Sequence, residues 1–334
     1  MKKMIAGVFG AGRIGKFHVE NLLQYDNVEV KTICDVQLDH LIEWNKDKNI
    51  FLTKNEDDIF DDKEINAIFI FSSTDQHISQ LIKATQNVDY IFMEKPISKS
   101  IDATLEAWEI VKSKSKTIQL GFNRRFDPNF KKVKEARVKE TIGVPHVLKI
   151  TSRDPEPPGI DYVKVSGGIF MDMAIHDFDM SRYIVGSDVE EVFVMGDALV
   201  NPKIKEAGDI DTAIIQLKFA NNALGVIDIS REAVYGYDQR LELFGSKGAI
   251  IADNKVETST KLLTKDCSCV DNPLHFFIER YIDAYKNEYE TFIEAFMNND
   301  NVICSFEDGL KAELIAEACK KSYETKTVVK VRGI

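Results

Sequence analysis

An apolar run from Met4 to Phe9 ends directly in Gly10-Ala11-Gly12-Arg13-Ile14-Gly15, and this junction restricts the possible fold more than any other segment. Glycines at G-x-G-x-x-G spacing allow a tight strand-to-helix turn, a backbone approach to a pyrophosphate, and close packing of helix on strand. The helix that follows offers its unsatisfied first amides and positive dipole end to an anion. A second apolar run, Val28 to Cys34, ends in Asp35, 20 residues after Gly15. A carboxylate at that position can accept hydrogen bonds from ribose hydroxyls. The reading is a dinucleotide site built from Gly10, Gly12, Arg13, Ile14, Gly15 and Asp35. NAD is favoured over NADP, because a 2′-phosphate beside Asp35 would meet like charge and neither Val36 nor Gln37 is an arginine. Lys16 and His18 read as the polar face of the first helical turn.

Composition narrows the partners. A net charge of -11 disfavours nucleic acid and anionic membranes, both of which require a basic face. Met1-Lys2-Lys3 followed by apolar residues superficially resembles a signal peptide, but the run enters the glycine loop, so it reads as a buried first strand. No apolar stretch approaches the roughly 18 residues of a membrane span. Cys34, Cys267, Cys269, Cys304 and Cys319 are odd in number and lack C-x-x-C spacing, which indicates neither a disulfide framework nor a zinc site. A cytoplasmic protein is expected.

At 334 residues, two domains are expected. Residues 1–122 alternate strand-like and helix-like segments, the pattern of a Rossmann-type doubly wound parallel sheet, with strands at 4–9, 28–34, 66–72, 89–93 and 117–121. Open sheets bind ligands beyond their strand carboxyl ends, so Ser72, Ser73, Thr74, His77, Glu94, Lys95 and Pro96 are expected along the dinucleotide. Residues 123–334 read as an α+β domain with a largely antiparallel open sheet; its last helix, from near Ser305, is expected to pack back near the first domain. A helix is expected over 170–185 and a long aromatic-rich one over 273–298. With no linker evident, the domains are expected to share a cleft.

Asp172 and His176, four residues apart, are expected on one helical face, with Asp179 one turn further. A carboxylate beside an imidazole orients it and stabilises its protonated form, which suits a general base. Lys95, after the fourth expected strand, can bind a substrate oxygen and stabilise developing negative charge. This set requires no metal, since the lysine fills the Lewis-acid role. Arg124 and Arg125 divide between a structural ion pair and a substrate contact, with Arg125 the expected contact. Asp154, Asp179, Tyr235 and Tyr281 either bind substrate or cap and pack within the fold. The stripe Phe276, Phe277, Tyr281 and Tyr285 reads as core or subunit contact.

The glycine loop, Asp35, MEKPIS at 93–98 and GGIFMDMAIHDFD at 167–179 together resemble the Gfo/Idh/MocA family of NAD(P)-dependent sugar and polyol oxidoreductases. GFNRRFDP at 121–128, SRDPEPP at 152–158, YGYDQRLELFGSKG at 235–248 and FFIERYIDAY at 276–285 resemble the inositol-oxidising members. The resemblance spans essentially the whole chain. It implies oxidation of a small polyol or sugar, foremost myo-inositol to its 2-keto form with NAD, by a homo-oligomer, specifically a tetramer. Other readings are oxidation of another inositol isomer or an aldose, transient oxidation during glycoside cleavage, and a non-catalytic NAD or polyol sensor.

Overall fold

The computed structural model describes residues 2–114 and 116–334. It divides into two compact units, residues 1–122 with 286–311, and residues 123–285 with 312–334. In the first unit, β1 (Met4–Phe9), β2 (Val28–Cys34), β3 (Phe51–Thr53), β4 (Ala67–Ile70), β5 (Tyr90–Met93) and β6 (Thr117–Leu120) form one sheet. Their order is β3-β2-β1-β4-β5-β6 and every neighbouring pair is parallel. All residues of β4 and β5 are buried, as strands covered on both faces must be. The order reverses direction between β1 and β4, placing the loops that begin at Gly10 and Phe71 at the switch point where such sheets bind ligands. β3 is absent from the expected strands because three residues are too few to show a period.

The helix Ile282–Asn298 contributes its aromatic stripe to this unit from Lys286 onward. Phe292 meets Phe69 and Phe92 edge-on at 5.4 and 5.6 Å between ring centroids. The expected single helix over 273–298 is instead broken at Tyr281, after a short helix Phe277–Arg280. The last helix, Phe306–Thr325, opens on a capping box, with Ser305 N–H and Asp308 N–H bonded reciprocally to each other's side chains at 2.9 and 3.3 Å.

The second unit holds a seven-stranded sheet of β7 (Pro145–Arg153), β8 (Val189–Asp197), β9 (Thr212–Phe219), β10 (Leu224–Ser230), β11 (Asp238–Gly245) and β12 (Gly248–Ala252), closed at one edge by a late strand, Val329–Lys330. It is mostly antiparallel, but β7 and β10 run parallel at its centre. The ribs alternate strictly between faces. Val194, Ile215, Ile227, Ile150 and Leu241 align across five strands and are all buried, while the next rib, Met195, Ile214, Asp228, Thr151 and Arg240, faces outward. No helix among the described residues is long and apolar enough to cross a membrane.

Candidate active site

The glycine loop is shaped by what a side chain would meet. A Cβ at Gly10, where φ is +84°, would lie 2.6 Å from the Ser72 backbone, and one at Gly15 would lie 2.4 Å from the Gly10 carbonyl oxygen. Backbone atoms cannot yield, so both positions demand glycine. A Cβ at Gly12 would meet nothing within 4 Å. Gly12 also caps the helix Arg13–Leu22 without a side-chain bond, so the amides of Arg13, Ile14 and Gly15 have no capping side chain. This open cradle of amides fits a pyrophosphate. The Asp35 carboxylate accepts from Ala11 N–H at 2.7 Å and Gln37 N–H at 2.8 Å. Each oxygen accepts one bond there and retains a second lone pair, which suits ribose hydroxyls.

Beyond β4 and β5 the sequence reading is partly corrected. Ser73 caps the helix Thr74–Asn87, and Ser72 Oγ donates to Gln80 at 2.6 Å. His77 is 1% exposed, with Nδ1 2.7 Å from the Pro96 carbonyl and Nε2 3.1 Å from that of Ser72. Both nitrogens lie against backbone carbonyls, so the His77 side chain bridges the loops that follow β4 and β5. Burial lowers its pKa against the opposing pull of those carbonyls. Lys95 is half-buried, its N–H donates to Glu94 Oε2 at 3.1 Å, and the Lys95–Pro96 bond is cis.

His18 is likewise no surface residue. It is fully buried, stacked on Phe71 at 4.1 Å, with Nδ1 bonded to the Tyr289 hydroxyl and Nε2 3.1 Å from Glu94 Oε1. Glu94 thus links the lysine backbone to a buried imidazole. Beside them lies Glu288, fully buried, neither carboxyl oxygen having a hydrogen-bond partner among the described residues. Burial first, and the Glu94 charge second, push its pKa well above the carboxylate range. Both causes favour its protonated form.

In the second unit, the expected helix over 170–185 is two helices, Gly168–Asp172 and Ile175–Val185. Ala174 N–H bonds to Ile169 O, five residues back, at 2.9 Å, a wide turn between the helices that carry Asp172 and His176. Asp172 Oδ1 accepts from the Tyr162 hydroxyl at 2.8 Å and Oδ2 from Arg231 Nη1 at 3.0 Å. Arg231 directly follows β10 and Asp154 directly follows β7. Because those strands are parallel, their ends lie side by side, and Asp154 N–H donates to Ser230 O at 3.0 Å. Burial pushes the Asp154 carboxyl up to about 6, with Arg231 and Arg124 resisting and Asp172 and Asp177 reinforcing the rise. Arg231 and Tyr162 are absent from the sequence reading; the available signal was a cation abutting the apolar run that ends at Ser230.

Both arginines of GFNRRFDP are paired with buried carboxylates. Arg124 bonds Asp177 at 2.5 Å, and Arg125 grips Asp179 through Nε at 2.8 Å and Nη2 at 2.6 Å. Arg125 is 5% exposed and Asp179 0%, and the two form a buried, charge-assisted pair. Tyr281, 1% exposed, packs against Arg124 and Arg280 and donates to Gln239 Oε1 at 3.3 Å; burial pushes its pKa up to about 12. It packs in the core of the second unit. Tyr235 stays at the surface, donating to Asp238 at 2.6 Å and accepting from Arg153 at 3.0 Å.

A parallel sheet with a glycine cradle at its switch point, joined to a mixed-sheet unit bearing Asp172 and His176, defines a dinucleotide-dependent oxidoreductase. Residues 4–122 match the NAD-binding Rossmann fold of the Gfo/Idh/MocA oxidoreductase family and residues 138–331 match its C-terminal alpha/beta domain. The chain belongs to that family. It is 50% identical over 322 residues to an uncharacterized oxidoreductase of Bacillus subtilis, covering 96% of this chain and 94% of that one. It is 47% identical over 332 residues to the myo-inositol 2-dehydrogenase of Thermotoga maritima, covering 99% of both. A crystal structure of a probable dehydrogenase from Thermotoga maritima superposes with a TM-score of 0.94 at 47% identity, covering 98% of this chain and 99% of that one.

Proposed function

We propose that this protein is an NAD-dependent inositol 2-dehydrogenase oxidising myo-inositol to 2-keto-myo-inositol. The cluster of Asp154, Asp172, Tyr162 and Arg231 at the ends of β7 and β10, just before the helix bearing His176, carries this reading. A cyclic polyol presents a donor and acceptor at every carbon, and carboxylates alternating with a guanidinium match that chemistry. The full-length relationship to a myo-inositol 2-dehydrogenase supports the substrate. Bound NAD would supply the acceptor for the hydride leaving the carbinol carbon. Gly10, Gly12, Arg13, Ile14, Gly15 and Asp35 hold it, with Ser72, Ser73, Thr74 and Glu94 at the loops beyond β4 and β5. His176 takes the hydroxyl proton, Asp172 orients the imidazole and stabilises its charged form, and Lys95 binds the oxygen on which negative charge develops.

A cytoplasmic homo-oligomer belongs to the same reading. The outward face of the second sheet carries Met195, Ile214, Phe244 and Ile251, between 43 and 66% exposed, around ion pairs such as Lys149–Glu242. A tetramer built through that face would bury them. The deciding experiment is a screen of inositol stereoisomers and aldoses with NAD and NADP, following reduced cofactor. Myo-inositol with NAD is expected to give the largest kcat/KM. Turnover with aldoses alone would replace the substrate, and binding of NAD and inositol without turnover at any pH would mark a sensor.

A further inference from the structure

Two exposed cysteines, Cys267 and Cys269, sit on a hairpin that the proposed reaction does not use, formed by β13 (Lys261–Leu263) and β14 (Ser268–Val270). The other three cysteines are buried. Residues two apart on an extended strand point to the same side, so C-x-C spacing sets the thiols next to each other. Their sulfurs are 3.6 Å apart, with the Cys269 thiol directed at Cys267 Sγ. The turn holds this arrangement. Thr264 N–H donates to Cys267 O at 2.9 Å, Cys267 N–H returns to Thr264 Oγ1 at 3.1 Å, and that hydroxyl lies 3.4 Å from Cys267 Sγ. The Thr264 hydroxyl and the Cys269 thiol lower the Cys267 pKa below that of an ordinary thiol. The thiolate is the reactive form, and Cys267 is positioned to supply it.

We infer that Cys267 and Cys269 form a redox modification site that takes a small peroxide as oxidant and closes reversibly to an intramolecular disulfide. The Cys267 thiolate attacks one oxygen of hydrogen peroxide: an S–O bond forms, the O–O bond breaks, and the departing hydroxide takes a proton to become water. Cys269 sulfur then attacks Cys267 sulfur. The S–S bond forms, the S–O bond breaks, and the Cys269 proton leaves with the hydroxyl as a second water. Two thiols are oxidised and one peroxide is reduced to two waters. Closure requires the sulfurs to move from 3.6 Å to about 2.05 Å. The neighbouring Cys269 intercepts the sulfenic acid before further oxidation.

The full-length protein, treated with hydrogen peroxide and mapped by mass spectrometry, is expected to lose two hydrogens from the peptide containing both cysteines, with full recovery under dithiothreitol. Cys34, Cys304 and Cys319 should remain reduced. Cys269→Ser is expected to stop at a Cys267 sulfenic acid trapped by dimedone, and Cys267→Ser to react on the order of tenfold more slowly. The inference fails if Cys267 reacts no faster in the native protein than in the urea-unfolded chain, or if the disulfide joins two separate chains.

Discussion

His176 is half-buried on the second helix of a broken pair, and its proposed task is confined to proton transfer. His176→Ala is expected to lower kcat by about 100- to 10,000-fold while leaving the Kd for NAD unchanged, measured by NADH formation and cofactor titration. Asp154 reports on the same site through stability. Its folded pKa, about 6, is above the ordinary 3.8, so the fold binds its proton more tightly than the unfolded chain does. That contribution is fully present below the ordinary value and is lost as pH rises through about 6. Melting curves should therefore show Asp154→Asn gaining on the wild type between these limits, by at most about 1.4 kcal/mol per pH unit, and then levelling off. Arg231 and Tyr162 illustrate why the site was only partly legible: neither belongs to a motif, and each gains its role by meeting Asp172 from a distant segment.

Elements were readable wherever their period was long enough. The glycine loop, the parallel strands and the caps at Asp127 and Ser305 follow from local chemistry, and Asp127 Oδ1 accepts from Asn129 and Phe130 N–H at 2.9 and 3.2 Å as its position before Pro128 implies. The breaks after Asp172 and at Tyr281 carry no glycine or proline, so nothing local announces them. The helix Ile282–Asn298 makes its own prediction through Glu288. Its pKa is raised by burial and by Glu94, so its stability contribution declines as pH climbs above the ordinary 4.5. Glu288→Gln cannot ionise; its melting temperature relative to wild type should increase as pH rises above the ordinary 4.5. A difference independent of pH would show that the fold does not raise the Glu288 pKa.

For the whole molecule, the outward rib of Met195, Ile214, Asp228, Thr151 and Arg240 tests association. Ile214→Lys combined with Met195→Lys should reduce the sedimenting mass toward that of one 37.9 kDa chain while preserving the melting transition of the sheet, whose opposite face is untouched. An unchanged mass would place the subunit contact elsewhere. Local periodicity and glycine spacing were sufficient to indicate the class of fold and the nucleotide loop, because each depends on residues within a turn or a strand of one another, while the family was legible only through the resemblance of several separate motifs. The partners chosen by charged and aromatic side chains lay outside that reach. His18 became a buried link to Glu94 and Tyr289, Arg125 closed on Asp179, and Arg231 took Asp172, because a polar group removed from water must find its hydrogen-bond partner wherever folding brings one.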